Sequence, residues 1–361
     1  MEDKKVFFPP VGIVHMINHI SDLIDDSIVG KKKVIVNTSS QPNSSPHLGT
    51  ITTIMCAFAL AQYVSNKYSV ETEVLFDELE NSPAKTFLIN DKQFYLDQAH
   101  SYCNEVTNEE FNMGKFFELF DFCKEISKIN YRVRRYNEFQ ANTYVRETLT
   151  QVVFDYDFFA RLLSPKSKIL HIRTLCPICG VGPKDVCTNS IEIGQKVIVK
   201  NVCPYHGEYS VHMEDLSEYI DINTQLRDLC KCVAFTKEDK INNTLTIMLD
   251  GSDWSGVWQQ RVQVEGMVRL GYNEFPIRLF SPLILDWSGA KFSKSLYLEA
   301  GSYKNINDAF INYDNFAIKY GETGFKKLWN EIQTWISEPR RFFRHYSVEY
   351  FDLLFTEKVD A

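Results

Sequence analysis

The sequence predicts an α/β fold built on a parallel sheet, and three observations predict it. Lys33 to Thr38 reads KVIVNT, a short β-branched run of the kind found in buried strands. A polar loop leads from it into Leu48 to Tyr63, rich in Ala, Leu, Ile and Met, which reads as a helix. Glu73 to Phe76 then reads as a second strand, ending at Asp77-Glu78-Leu79-Glu80-Asn81. Strand, helix, strand in that order implies a right-handed crossover between parallel strands. Ligands of such sheets bind at the carboxyl ends of the strands, where the loop before His47 and the Asp77 cluster both fall.

The remaining elements follow in order. Val11 to Val29 reads as an amphipathic helix preceding the first strand, and residues 84 to 170 as mainly helical. Ile191 to Val202 reads as a β-hairpin around Gly194-Gln195. Leu245 to Leu249 is an apolar strand, Trp254 to Leu270 a helix, Phe275 to Leu285 another strand, and Lys304 to Ala361 a helical tail. This gives a first half of the α/β domain over 1–83 and a helical insertion over 84–240, with a ribbon at 171–212. The second half spans 241–300, and a short helical tail spans 301–361. No internal repeat or low-complexity segment is visible.

Composition bounds the class. A chain of 361 residues with 44% hydrophobic and 14% aromatic residues buries an ample core and is not disordered. No run of about 18 uninterrupted apolar residues exists, so no membrane span is expected. Met1 to Pro10 lacks the apolar core of a secretory leader, and a cytoplasmic protein is expected. A net charge of −8 does not advertise a nucleic-acid binder, although a local basic patch would suffice for one. Nine cysteines, an odd number with two closely spaced metal-type pairs, point to a reducing compartment and metal rather than disulfides.

Two strings carry the chemistry. In Pro42-Asn43-Ser44-Ser45-Pro46-His47-Leu48-Gly49-Thr50, His47 and Gly49 sit where a loop enters a helix N-terminus. Free backbone N–H groups and the helix dipole suit phosphate there. Gly49 allows close approach of a ligand to the backbone, and His47 can donate to a phosphate oxygen in a transition state. The bland alternative is a helix start with an incidental histidine. Lys291-Phe292-Ser293-Lys294-Ser295 follows a turn at Asp286-Trp287-Ser288-Gly289-Ala290. Two ammonium groups on such a loop can neutralise a triphosphate as pyrophosphate leaves. Alone, this string also reads as a solvated turn. Together, with Gly251-Ser252-Asp253 between them, the strings describe a site that holds ATP and transfers its adenylyl group.

Asp250-Gly251-Ser252-Asp253-Trp254 follows an apolar strand. A carboxylate at such a strand end can accept ribose hydroxyls, with Gly251 giving room. Ser252 or Asp253 could equally cap the following helix. The pocket for a second substrate would lie between Thr38-Ser39-Ser40 and Asp77-Glu78, whose acidic groups could take an ammonium. A solvated acidic loop is the alternative there. In the tail, Arg340-Arg341-Phe342-Phe343-Arg344-His345 reads as an amphipathic helix with packed aromatics; RNA contact is the second reading.

Cys176-Pro-Ile-Cys179 and Cys203-Pro-Tyr-His206 are two tight turns, each aiming a pair of donors at one point. Two such knuckles make a tetrahedral zinc site, and with four protein ligands the zinc is structural. Gly180 and Gly207 relieve the turns, and Cys187 could substitute for one ligand. Reduced thiols beside a surface histidine are the alternative. Cys230 and Cys232 have the wrong spacing for a knuckle and read as structural.

With these residues in view, the sequence resembles the catalytic half of class I aminoacyl-tRNA synthetases over roughly residues 10 to 300. Pro42 to Thr50 looks like their HIGH motif, with P-x4-H-x-G intact, and Lys291 to Ser295 like their KMSKS loop. Within the class, the likeness is to the class I lysyl-tRNA synthetase group. The order of elements from Val34 to Pro83, the zinc-type pairs and the element at Asp250 to Trp254 all follow that group. Thr50 stands at the second His of the motif, Phe292 replaces Met, and Asn37 stands where an acidic residue is expected.

The resemblance implies a HUP-type Rossmann-like domain that forms an aminoacyl-adenylate from an amino acid, lysine first, and ATP with Mg2+. Transfer to tRNA or a tRNA-like acceptor would follow. It assigns catalysis to His47, Lys291 and Lys294. ATP binding falls to Pro42, His47, Gly49, Thr50, Gly251, Asp253, Lys291, Ser293, Lys294 and Ser295. The amino acid falls to Thr38, Ser39, Ser40, Asp77 and Glu78, and Zn2+ to Cys176, Cys179, Cys203 and His206. Few residues follow Ser295, leaving little room for the group's helical anticodon-binding region. A synthetase-derived ligase serving a small molecule, peptide or carrier is therefore the alternative, with a non-catalytic relative as the third reading.

Overall fold

A computed structural model describes residues 16–42, 44–79, 81, 83–97, 109–184, 189–256, 259–292 and 306–356. The strands, in chain order, are β1 (Lys33–Ser40), β2 (Glu71–Glu78), β3 (Pro83–Ile89), β4 (Lys92–Asp97) and β5 (Asn130–Arg135). They continue with β6 (Ile172–Thr174), β7 (Val181–Pro183), β8 (Ser190–Ile193), β9 (Val197–Cys203) and β10 (Gly207–His212). The last five are β11 (Ile220–Ile222), β12 (Thr244–Gly251), β13 (Ile277–Ser281), β14 (Ile284–Leu285) and β15 (Tyr346–Ser347). The helices that matter most are α1 (Leu48–Tyr68), α2 (Glu109–Ser127), α3 (Thr143–Phe154), α4 (Thr224–Asn242) and α5 (Tyr313–Ser337).

The centre is a five-stranded sheet of order β13-β12-β1-β2-β5, with every pair parallel. Chain order runs outward from β1 in one direction through β2 and β5, and in the other through β12 and β13. The direction of winding therefore reverses between β1 and β12. In a doubly wound sheet the loops at such a switch point separate and leave a crevice at the carboxyl ends of the strands.

The two faces of the sheet carry separate cores. On one, α1 packs Ile51, Ile54, Phe58 and Leu60 with Val34, Val36, Val74 and Ile247, joined by Phe116 and Phe120 of α2 and by Leu328, Trp329 and Trp335 of α5. On the other, Leu229, Cys230, Cys232 and Val233 of α4 pack with Leu75, Met248 and residues of α3. Burial at this density excludes water and rests on close packing. Helix α1 is long and apolar enough to cross a membrane by length and composition, but 67% of its most apolar stretch is buried inside the fold. Its apolarity is that of a helix covered by the sheet on one side and by α2 and α5 on the other.

The structure corrects the sequence reading at several points. Within residues 16–29 the expected continuous helix is a 3-10 turn (Ile20–Leu23) and a single turn, Asp25–Ile28. Residues 84–170 are not mainly helical at their start: β3 and β4 form an antiparallel hairpin with β7 on its edge. Nor is 84–240 an insertion throughout, since β5 returns to the central sheet beside β2 and α4 covers its face. The burial pattern of β5 explains the miss: an edge strand reading NYRVRR buries one side chain of six, and that one is Arg134. The expected strand Phe275 to Leu285 is split into β13 and β14 around Pro282. The expected helix from Trp254 is a 3-10 turn, Ser252–Trp254, followed by a π-helical segment, Gln260–Gly266. In the tail, Phe342 is fully buried while Arg341 pairs with Glu338 at 2.8 Å, an amphipathic arrangement.

Candidate active site

A cavity of about 530 Å3 opens at the switch point. The end of β1 supplies Ser39 and Ser40, and the end of β12 supplies Asp250 and Gly251. One wall is the start of α1, with His47, Gly49, Thr50, Thr53 and Ile54. The facing wall is α4, with Thr224, Arg227, Asp228 and Lys231. Asp253, Lys291 and Phe292 close the remaining side.

His47 is the N-cap of α1, and its Nδ1 accepts the Gly49 N–H at 3.0 Å. Nε2 lies 3.4 Å from the Thr50 hydroxyl, so the ring is held at both nitrogens. A Cβ at position 49 would stand 2.9 Å from His47 Cε1. Gly49 is thus required by the posture of His47 before any ligand arrives. Gly251 plays the same part across the cavity: a Cβ there would lie 2.6 Å from Asp253 Oδ1.

Asp253 accepts from the Lys291 ammonium at 2.5 Å. Lys291 is delivered by a tight turn. The Asp286 carboxylate accepts the N–H groups of Ser288 (2.8 Å) and Ala290 (3.0 Å), and Gly289 takes a positive φ of 81°. Behind it, Phe292 N–H donates to Ile284 C=O at 2.8 Å. Ser293, Lys294, Ser295 and Asn43 lie outside the described residues.

The other expected site residues divide. Ser39 and Ser40 line the cavity; Pro42, Thr38, Asp77 and Glu78 do not. Thr38 is 1% exposed and its hydroxyl has no hydrogen-bond partner among the described residues. Asp77, expected to receive an ammonium from a ligand, is already saturated from within. Arg134 binds it through Nε (2.7 Å) and Nη2 (3.1 Å), Lys231 at 2.9 Å and Asn37 Nδ2 at 3.0 Å. Burial alone would raise its carboxyl; Arg134 and Lys231 outweigh burial and hold it well below the usual carboxylate range. Asn37, standing where an acidic residue was expected, works as a donor to Asp77 and to Leu75 C=O (3.1 Å). A carboxylate in its place would repel Asp77.

Sequence reasoning missed the α4 wall. Asn223 caps the helix by accepting the Leu226 N–H at 3.2 Å. Thr224, Arg227, Asp228 and Lys231 then recur at the i, i+3, i+4, i+7 spacing of one helical face. In sequence such a stripe reads as a solvated face. Here Arg227, Asp228 and Lys231 are 6%, 7% and 4% exposed. The Arg278 guanidinium joins Asp228 to Asp250, the latter at 3.0 Å. Burial pushes the Asp250 carboxyl up against the pull of Arg278.

Away from the cavity, Cys176, Cys179, Cys203 and His206 bring four donor atoms within 4.8 Å of one another. Cys176 Sγ and Cys203 Sγ each lie 3.6 Å from His206 Nδ1, and Cys179 Sγ 3.6 Å from Cys203 Sγ. A tetrahedron with metal–sulfur bonds of about 2.3 Å has edges of roughly 3.7 Å, so the donor set fits zinc. Burial pushes the Cys176 thiol up, but the N–H groups of Cys179 and Ile178 together with the Cys203 and Cys179 thiols hold it below its ordinary value. The hairpin β8–β9 pairs Ile193 with Val197, and β9 pairs with β10. Cys187, the alternative ligand, lies outside the described residues.

The architecture is thus a doubly wound, Rossmann-like parallel sheet with a polar crevice at its switch point. No family model matches the chain, and no curated protein matches it. Among solved structures it is similar to a glutamate-tRNA synthetase from Elizabethkingia anophelis, at 12% identity and a TM-score of 0.34, over 73% of this chain and 53% of that one. A glutamate tRNA ligase from Elizabethkingia meningosepticum, in complex with its amino acid, gives 12% identity and 0.33 over 74% and 53%. A protein assigned as an arginyl-tRNA synthetase from Campylobacter jejuni gives 10% and 0.31 over 83% and 62%. The chain spans about half to three-fifths of the length of these proteins.

Proposed function

We propose that this chain activates an amino acid with ATP, forming an aminoacyl-adenylate and releasing pyrophosphate, and passes the aminoacyl group to tRNA or a tRNA-like acceptor. One observation carries the reading. The His47–Gly49–Thr50 element and the Gly251–Asp253–Lys291 element, distant in sequence, line one cavity at the switch point of a parallel sheet.

The chemistry needs no protein nucleophile. A carboxylate oxygen of the amino acid attacks the α-phosphorus of ATP, the bond from phosphorus to the bridging oxygen breaks, and pyrophosphate leaves with Mg2+. The chain supplies position and charge. The N-terminus of α1 offers N–H groups and a positive dipole end to phosphate. His47 Nε2, now shared with Thr50, becomes a donor to the α-phosphate as charge builds on it. Lys291 exchanges Asp253 for the departing phosphates, which frees the Asp253 carboxylate for the ribose hydroxyls. Lys294 is the second cation of that loop. Residues Cys176, Cys179, Cys203 and His206 would hold Zn2+ as a closed structural site.

Amino-acid-dependent exchange between ATP and pyrophosphate tests the reading, with the standard amino acids screened with and without total tRNA. Exchange with one amino acid, abolished by Lys291→Ala, supports it. No exchange from folded, zinc-loaded protein with any of them rejects it. Charging of tRNA against charging of small-molecule or carrier acceptors then fixes the destination of the aminoacyl group.

A further inference from the structure

Among the described residues, the α4 wall contains a guanidinium with no anion paired to it. Four Lys or Arg side chains among the described residues line the cavity: Arg227, Lys231, Arg278 and Lys291. Lys231 lies 2.9 Å from Asp77, Arg278 3.0 Å from Asp250, and Lys291 2.5 Å from Asp253. Arg227 is 6% exposed, yet among the described residues no carboxylate comes within 4.0 Å of it. The one hydrogen bond its guanidinium makes among them runs from Nη2 to the Thr224 hydroxyl at 3.2 Å. The three aspartates of the lining do not serve it: Asp228 and Asp250 hold Arg278, and Asp253 holds Lys291.

A second observation sharpens the first. Arg227 stands in the first turns of α4, which begins at Thr224 and is 19 residues long. A cation there faces the positive end of the helix dipole, the reverse of the stabilising arrangement. A buried cation without a partner is costly, and a guanidinium carries five N–H donors in a planar fork matched to a carboxylate. Two unfavourable features at one cavity wall are both relieved by an anion bound there.

We propose that Arg227 receives a side-chain carboxylate, so that the amino acid activated in this cavity is an acidic one. This rests on the adenylation reading above. The α-carboxylate must reach the phosphate at the α1 wall, beside His47 and Lys291. Arg227 projects from the helix on the opposite face of the sheet, so it meets the other end of the substrate. A lysine side chain would set its ammonium against the unpaired Arg227 guanidinium, a like-charge contact that disfavours it.

Equilibrium binding by calorimetry decides this separately from catalysis. L-aspartate, L-glutamate, L-glutamine and L-lysine are each titrated into the full chain and into Arg227→Gln, with and without a non-hydrolysable ATP analogue. The expected result is binding of one acidic amino acid, weakened roughly tenfold to a hundredfold in Arg227→Gln, with analogue binding unchanged. L-lysine or L-glutamine binding better than both acids overturns the proposal. So does an acidic amino acid held equally by the variant, or none of the four bound by the wild type. If Arg227→Gln fails to fold, Arg227→Lys is read on the same panel; it keeps the charge but loses the fork, and undiminished acid binding again overturns the assignment. Pyrophosphate exchange on the same samples reads adenylation on its own: an acid that binds through Arg227 without exchange rejects the enzyme reading and leaves the receptor standing.

Discussion

The ring of Phe292 meets the ring of His47 edge to face, with centroids 5.7 Å apart and an interplanar angle of 83°. One residue belongs to the loop after β14 and the other to the start of α1, so this contact ties together the two strings on which the functional reading depends. Phe292 is 1% exposed and anchors that loop in the core.

Replacing that anchor should therefore act on both stability and turnover. Phe292→Ala is expected to cost about 3 kcal/mol, as for other buried phenylalanines cut to alanine, and to lower pyrophosphate exchange by releasing His47 and Lys291 together. Phe292→Met, close in volume, should stay within about 1.5 kcal/mol and keep exchange. Urea denaturation and the exchange assay read the two effects.

The Lys291–Asp253 pair should separate stability from activity the other way. Both side chains are partly exposed, at 44% and 25%, so either alanine variant should shift stability by about 1 kcal/mol or less. Exchange should fall by about two orders of magnitude in each. Gly251→Ala should resemble Asp253→Ala in weaker ATP binding, because its Cβ would displace the Asp253 carboxylate. Unchanged ATP affinity in Gly251→Ala would remove that role from Asp253.

Metal analysis of the purified chain should return one zinc. Cys179→Ser or a strong chelator should remove it and open the ribbon to protease between Cys176 and His212, since β8 to β10 form a small sheet apart from the central one. A zinc content that survives Cys179→Ser would point to another ligand set.

Acid stability should report Asp77. Its carboxyl titrates well below the ordinary aspartate value of 3.8 in the folded chain, so the unfolded chain binds the proton first as pH falls. The stabilisation is therefore complete above pH 3.8 and is lost progressively below it. Asp77→Asn should flatten that acid limb. At neutral pH it should cost about 3–5 kcal/mol, because Arg134 and Lys231 are left buried without their counter-ion. Urea unfolding between pH 2 and 7 measures both.

The sequence by itself determined the local elements and the chemistry of single loops. KVIVNT makes a strand because β-branched side chains suit a buried pleat, and α1 follows because its apolar residues can be covered on every side. Two knuckles at Cys176 and Cys203 can converge because each turn sets its own pair of donors. These are short-range matters, settled by neighbours a few residues apart.

Tertiary structure decided which charged groups face a ligand and which face each other. Asp77 reads as an acceptor for a ligand's ammonium, yet Arg134 on β5 and Lys231 on α4 enclose it; the stripe that carries Arg227 reads as a solvated helix face, yet Arg227 lines the cavity. The strand carrying Arg134 was itself hidden, because an edge strand whose one buried side chain is an arginine has no apolar pattern to betray it. Whether a charge is neutralised depends on partners brought within 3 Å from far along the chain, and no periodicity of the chain encodes that distance.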